Sequence, residues 1–444
     1  MSKTIYAGLI MMLAAQFSLA QTPKIFPYEY STTKLDNGLS VILIPMESPG
    51  LASYYSVVRT GSRDEWEPGK SGFAHFFEHM MFRGTDKYPG PVYDEIMTGL
   101  GADANAYTDD DLTVYHINFA SEDLERVVEL EADRFQNLHY DEKAFQTESG
   151  AVYGEFQKGR TSPWFVGLEK LQDMAFDVHT YKHTVIGFEK DIKDMPNMYE
   201  YSQSFFKRYY RPENIVILVV GDIRKDKTLD LIKKYYASWK PGYVAPQIKP
   251  EPPQIKERIA EVSYPGKTLP LLIVAYKGDA FDVKNKNVIA VSLLEELAFG
   301  ETSDIYKKLV LNEQKVQMIE AQFAFTRDPF LLGIYTMIKE EKDIDFVKNE
   351  IYDALKKSQD ALVDETRLND LKKRKKYSFL MNLDTSDNVA GFMPRFITLT
   401  GGIGVVDEVY AAYGAITPQD IQNAARYYFS PEKRNVVLVK GEEK

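Results

Sequence analysis

Short apolar runs alternate with longer stretches of helical spacing along this chain, and Gly, Asp, Asn and Pro clusters punctuate them. Residues 28–35 and 39–45 predict two strands around Asp36-Asn37-Gly38, a strong hairpin signal. Residues 51–58 predict a third strand. Residues 72–82 carry apolar side chains at helical spacing and stop before Gly84, so they predict a helix. Residues 105–108 and 112–119 predict two strands joined by Asp109-Asp110-Asp111. Ser121 and Asp141 are placed to cap helices running to about Leu138 and Lys158. The second half repeats the mixture: strands near 258–264 and 271–276, helices near 283–311, strands near 316–339, then mostly helix before a last strand. Strands and helices mix without strict βαβ alternation, which predicts an α+β fold over a doubly wound sheet.

A proline-rich stretch divides this pattern. Pro241, Pro246, Pro250, Pro252 and Pro253 favour extended backbone with few donors, which suits a linker over residues 241–257. The two flanking pieces end alike. The first closes with Arg208-Tyr209-Tyr210-Arg211-Pro212-Glu213-Asn214, a six-residue apolar run and Gly221-Asp222. The second closes with Arg426-Tyr427-Tyr428, Ser430-Pro431-Glu432, Asn435-Val436-Val437-Leu438-Val439 and Gly441-Glu442. A helix end, a proline turn, a buried strand and a glycine–acid exit recur after about 220 residues, too long a period for a solenoid. A duplicated domain is expected, with residues 21–240 and 258–444 as the two copies.

Composition narrows the function classes. Lys and Arg number 54 against 65 Asp and Glu, a formal net charge of −11. That balance argues against a nucleic-acid partner, and the basic run at residues 372–376 reads as a solvated helix face. The chain has no cysteine, which removes disulfides, thiolate metal sites and cysteine nucleophiles. Residues 1–20 read as a signal peptide: Lys3, a short apolar run from Ile5 to Ala15, then small residues at Ser18 and Ala20. Export to the periplasm or beyond is expected, with Gln21 as the new first residue and no stable membrane insertion.

The chemistry concentrates in Phe73-Ala74-His75-Phe76-Phe77-Glu78-His79-Met80-Met81-Phe82. His75 and His79 are four apart and share one helix face, where two neutral imidazoles can hold one Zn²⁺. Glu78 flanks that face, where it can take a proton from a water at the metal. The pattern is the inverted zinc-protease signature. With only six histidines in the chain, such a coincidence is rare. A catalytic zinc site takes three protein ligands. The helix expected after Asp141 offers Glu148 and Glu155, seven apart and nearly on one face, although two such glutamates alone are usually solvated.

These residues resemble the pitrilysin-type (M16) zinc metallopeptidases. The resemblance runs through Leu35-Asp36-Asn37-Gly38-Leu39, Gly61-Ser62-Arg63-Asp64-Glu65, residues 72–85, Asn105-Ala106-Tyr107-Thr108 and Tyr210-Arg211-Pro212-Glu213-Asn214. It implies one Zn²⁺ per chain held by His75, His79 and Glu155, with Glu78 as general base and Glu148 as supporting acid. It implies that Asn105, Ala106, Tyr107 and Thr108 form an edge strand that pairs with substrate backbone. It also implies two α/β-sandwich domains, with mixed and largely antiparallel sheets flanked by helices, forming one half of a clamshell around short or unfolded peptides.

One departure bears on partners. An ungapped alignment puts Val310 and Gln317 where active relatives carry an Arg and a Tyr, and neither side chain supplies that charge or phenol. A heterodimer with an Arg/Tyr-bearing half-shell is therefore expected. A self-sufficient homodimer and a non-catalytic peptide-binding scaffold are the competing readings. His116 is expected on a strand beside the site, with a structural role favoured over an assisting one. His139, His179 and His183 show no metal spacing, Gly69-Lys70-Ser71 lacks the first glycine of a phosphate loop, and residues 401–404 read as a turn.

Overall fold

The computed structural model describes residues 24–442, so the expected signal segment lies outside the described residues. The first sheet has six strands: β1 Ser31–Lys34, β2 Ser40–Pro45, β3 Leu51–Val58, β4 Asp103–Thr108, β5 Thr113–Ala120 and β6 Ile215–Gly221. Their order is β1-β2-β6-β3-β5-β4, so β4 is an edge strand. Only β2 and β6 run parallel. The second sheet has β7 Arg258–Tyr264, β8 Leu271–Lys277, β9 Val316–Gln322, β10 Leu331–Ile338 and β11 Arg434–Gly441, ordered β7-β11-β8-β10-β9. Again one pair, β7 and β11, is parallel. The recurring apolar runs are thus β6 and β11, each set between a parallel and an antiparallel neighbour. The architecture is α+β, two mixed sheets flanked by helices.

Both faces of each sheet are covered, which explains why β6 is apolar throughout. Ile215, Ile217 and Val219 face a core that includes the helix α1 Phe73–Met80. Val216, Leu218 and Val220 face a second core that includes Val389, Ile397 and Val406. Those last residues belong to α4 Ser386–Phe392, α5 Pro394–Thr400 and α6 Val405–Ala415, helices from the other half of the chain. The exchange is mutual. Between α1 and α4 in the chain come α2 Glu142–Gly159, which packs beside α1, and α3 Pro163–Ala175. Leu171 and Ala175 of α3 pack on Ile273, Val437 and Val439 of the second sheet. Residues 241–257 carry neither helix nor strand. Glu251 within them accepts hydrogen bonds from the N–H groups of Asp177, Val178 and His179 at 2.7–3.0 Å, which ties the linker to the first half.

Some element ends differ from expectation. Ser121 caps no helix; it opens a 3₁₀ turn, Ser121–Asp123, and the helix begins at Leu124. The helices expected over 283–311 are Lys286–Phe299, which stops at Gly300, and a second that starts at Asp304, where the Ser303 hydroxyl caps it by accepting from the Tyr306 N–H at 3.2 Å. Among the described residues no single helix is long and apolar enough to cross a membrane.

Candidate metal centre

The histidine helix is held at both its start and its apolar face. Gly72 precedes it with φ 94°, and a Cβ there would lie 2.6 Å from the Ile186 carbonyl oxygen. Only glycine suits that backbone. The Gly72 and Ala74 N–H groups donate to the two oxygens of Glu65 at 2.7 and 2.6 Å. A buried carboxylate thus satisfies donors that α1 leaves open at its N-terminus. Phe73, Phe76, Phe77 and Met80 are fully buried. Phe77 stacks on Phe205 at 5.4 Å and 5°. At about 1.5–3 kcal/mol per buried side chain, this face fixes the helix rotation and turns His75 and His79 the other way.

There they meet α2, which Asp141 caps by accepting from the Ala144 N–H at 2.7 Å. The Glu155 Oε2 lies 3.7 Å from His75 Nε2 and 3.4 Å from His79 Nε2. Ligands about 2.0–2.1 Å from a tetrahedral zinc lie about 3.3 Å from one another, so this spacing needs little adjustment. His75, His79 and Glu155 are the three-residue group of metal-binding type among the described residues. Burial lowers His75 to about 4, with the neighbouring His79 adding to the effect, so its imidazole is neutral at physiological pH. Two imidazoles and a carboxylate form a donor set that suits zinc.

Glu148 lies behind His79, outside the three-residue group. Its Oε1 lies 3.0 Å from His79 Nδ1, and its Oε2 accepts from Arg83 Nε at 2.8 Å. The hydrogen bond to Glu148 raises His79, and the same contact lowers Glu148. With Nδ1–H committed to Glu148, the Nε2 lone pair of His79 is left for a metal. His75 Nδ1 has no such partner among the described residues. Glu78 sits one residue before His79, and burial raises its carboxyl while Thr108 and His79 pull the other way. Asn105, Ala106, Tyr107 and Thr108 lie on β4, whose outer edge carries no partner strand among the described residues.

His116 stands apart. It stacks on Tyr55 at 5.0 Å and 22°, while its neighbour Tyr115 points to the α1 side and donates to the Phe77 carbonyl. Period-two alternation therefore turns His116 to the face opposite α1. Val310 packs against the second-domain core, and Gln317 is exposed on β9. Glu65 and Arg83 stand within the family-like segments, but their position in the sequence assigns neither a role. Their partners lie 7 to 65 residues away, and no spacing rule links them.

Residues 45–188 match the sequence model of the insulinase family, peptidase family M16, and residues 198–375 match that of the M16 inactive domain. The zinc protease PqqE of Helicobacter pylori is 28% identical over 445 residues, spanning 98% of each chain. A crystal structure of a protease from Helicobacter pylori superposes with a TM-score of 0.88 at 27% identity, covering 93% of this chain and 99% of that one. The periplasmic protease PqqL from Escherichia coli shares the fold at 19% identity and a TM-score of 0.75, and 93% of this chain covers 48% of it. With the two models together matching most of its length and a zinc protease similar to it over 98% of each chain, this chain belongs to peptidase family M16.

Proposed function

We propose that this chain is an exported zinc-dependent endopeptidase acting on short or unfolded peptides, and that it forms the metal-bearing half of a two-chain clamshell. The observation that carries the reading is the convergence of His75 Nε2, His79 Nε2 and Glu155 Oε2 beside Glu78 and the free edge of β4. Zinc, when bound, supplies a Lewis acid that polarises a carbonyl and lowers the pKa of a water. The chain's own residues do the rest. β4 aligns an extended peptide through main-chain hydrogen bonds. Glu78 takes a proton from the attacking water and returns it to the leaving amine. Glu148 fixes the His79 tautomer, and Arg83 fixes Glu148. A binding scaffold would have no use for a carboxylate at Glu78.

The second chain is inferred from two observations. This chain covers about half of PqqL, and Val310 and Gln317 supply neither a guanidinium nor a phenol. Export rests on the segment at residues 1–20 and on likeness to a periplasmic protease. The test is cleavage of a mixed quenched-peptide library by the zinc-loaded mature chain, alone and with a homologous half-shell, with and without a chelator. Chelator-sensitive cleavage is expected, stronger with the second half-shell. Zinc bound at one per chain without cleavage in any combination would overturn the reading.

A further inference from the structure

The two halves repeat more than their last strands. In the first, the helix Leu124–Asn137 is followed after four residues by α2, which Asp141 caps by accepting from the Ala144 N–H at 2.7 Å. In the second, the helix Ile344–Asp360 is followed after four residues by the helix Glu365–Met381, which Asp364 caps by accepting from the Arg367 N–H at 2.8 Å. Tyr140 and Val363 are therefore counterparts, each the residue before the cap. The helices Tyr199–Tyr209 and Pro418–Tyr428 also correspond, each leading through a proline turn into β6 or β11. Counting back ten residues from Pro212 and from Pro431 pairs Ser202 with Ile421.

In the first half this pair closes the core. The Tyr140 ring lies 5.9 Å from that of Tyr199 and 6.4 Å from that of Phe145, and its hydroxyl is hydrogen-bonded to the Ser202 hydroxyl at 2.8 Å. In the second half Val363 and Ile421 carry neither ring nor hydroxyl. Both line a cavity of about 430 Å³, with Leu294 and Leu297 of the helix Lys286–Phe299 and Ala354 of the helix Ile344–Asp360. No aromatic side chain is among its lining residues. Close-packed interiors leave few voids larger than a water molecule, and a space of this size is that of a small-molecule site. Leu362, 56% exposed, also borders it and carries the apolar surface out to the mouth.

The charges around the mouth are mostly committed to one another. Lys308 pairs with Glu350 at 2.5 Å, and Lys357 with Asp304 at 2.6 Å. Asp364 is engaged in its cap, and Arg367 Nη2 donates to the Leu297 carbonyl at 2.8 Å. Asp353 has no ion-pair partner among the described residues, but it is exposed and keeps its water. A charge carried in among Leu294, Leu297, Val363 and Ile421 would lose its water to walls that offer no partner.

We propose that this cavity binds an uncharged, compact aromatic molecule of one or two rings, in the space that Tyr140 fills in the first half. The proposal rests on the internal repeat and the cavity, and does not depend on the peptidase reading.

The test titrates the full chain by calorimetry with indole and 2-naphthol, and with 2-naphthoate and 2-naphthylmethylammonium as charged counterparts. The two neutral probes are expected to bind with a Kd of about 0.1 mM or tighter, and the charged ones at least about tenfold more weakly. Val363→Tyr combined with Ile421→Ser restores the first-half pair, and Ala354→Leu narrows the cavity from another helix. Each is expected to weaken 2-naphthol at least about tenfold. If the double variant loses cooperative urea unfolding, Ala354→Leu decides. Leu168→Trp, in the separate cavity of about 530 Å³ between α3 and the second sheet, should leave binding within about twofold. Absence of binding by the neutral probes, equal binding by the charged ones, or a loss confined to Leu168→Trp would overturn the proposal.

Discussion

His79 shows how a single side chain is set by its second nitrogen. Its Nδ1 is committed to Glu148 at 3.0 Å, which leaves Nε2 for a metal. Glu148→Gln keeps the shape and weakens that support, so zinc affinity should fall about 10–100-fold, read by competition with a chromophoric chelator. Zinc affinity unchanged within twofold would remove Glu148 from the support. Lys277 makes a prediction of a different kind. Its ammonium lies 3.4 Å from the centre of the Phe176 ring and 3.9 Å from Glu251, with no hydrogen-bond partner among the described residues. Burial lowers it to about 7, against 10.5 for a free lysine, and Glu251 only partly offsets this. Between those values the unfolded chain keeps the proton that the folded chain has released. Stability from this group therefore rises with pH, by up to about 1.4 kcal/mol per unit. Lys277→Met should be more stabilising at pH 7.5 than at pH 9, measured by urea unfolding. An equal effect at both would refute the assignment. The zinc motif was legible because two histidines at helical spacing need only local geometry. The roles of Arg83 and Lys277 were not, because their partners come from other elements.

At the scale of the element, α1 is specified twice. Its apolar face was plain in the sequence, since Phe73, Phe76, Phe77 and Met80 recur at helical spacing. Its start was not. The cap is no Ser, Thr, Asp or Asn at the expected position but the Glu65 carboxylate reaching back from an earlier turn. Glu65→Ala leaves two buried N–H groups without partners and should cost about 1–3 kcal/mol per group in unfolding free energy. It should also lower zinc occupancy, because the helix that presents His75 and His79 frays. Intact stability in that variant would show that the apolar face alone holds α1. Periodicity marks faces, whereas an end is set by single hydrogen bonds such as the one from the Tyr306 N–H to the Ser303 hydroxyl.

At the scale of the molecule, the repeat in the sequence corresponds to two sheets of matching strand order, but the two sequence halves are not two separate cores. Helices α4, α5 and α6 cover the first sheet, and α3 covers the second. A hydrophobic pattern shows that a strand is covered on both faces and not by which helix, so this exchange was not legible. It predicts that residues 21–257 expressed alone expose the outer face of the first sheet. That fragment should bind a hydrophobic dye and lack the cooperative unfolding of the whole chain. A compact, cooperatively unfolding fragment would contradict the exchange. The exchange also sets α3 against the second sheet, and the cavity between them opens at the metal centre, so metal content and hydrolysis are properties of the whole chain. The most direct measurement compares the whole chain with its Glu78→Gln form for zinc content and peptide hydrolysis. One zinc per chain is expected in both, with hydrolysis lower by about 10²-fold or more in the variant. Equal hydrolysis by the two, at equal zinc content, would contradict it.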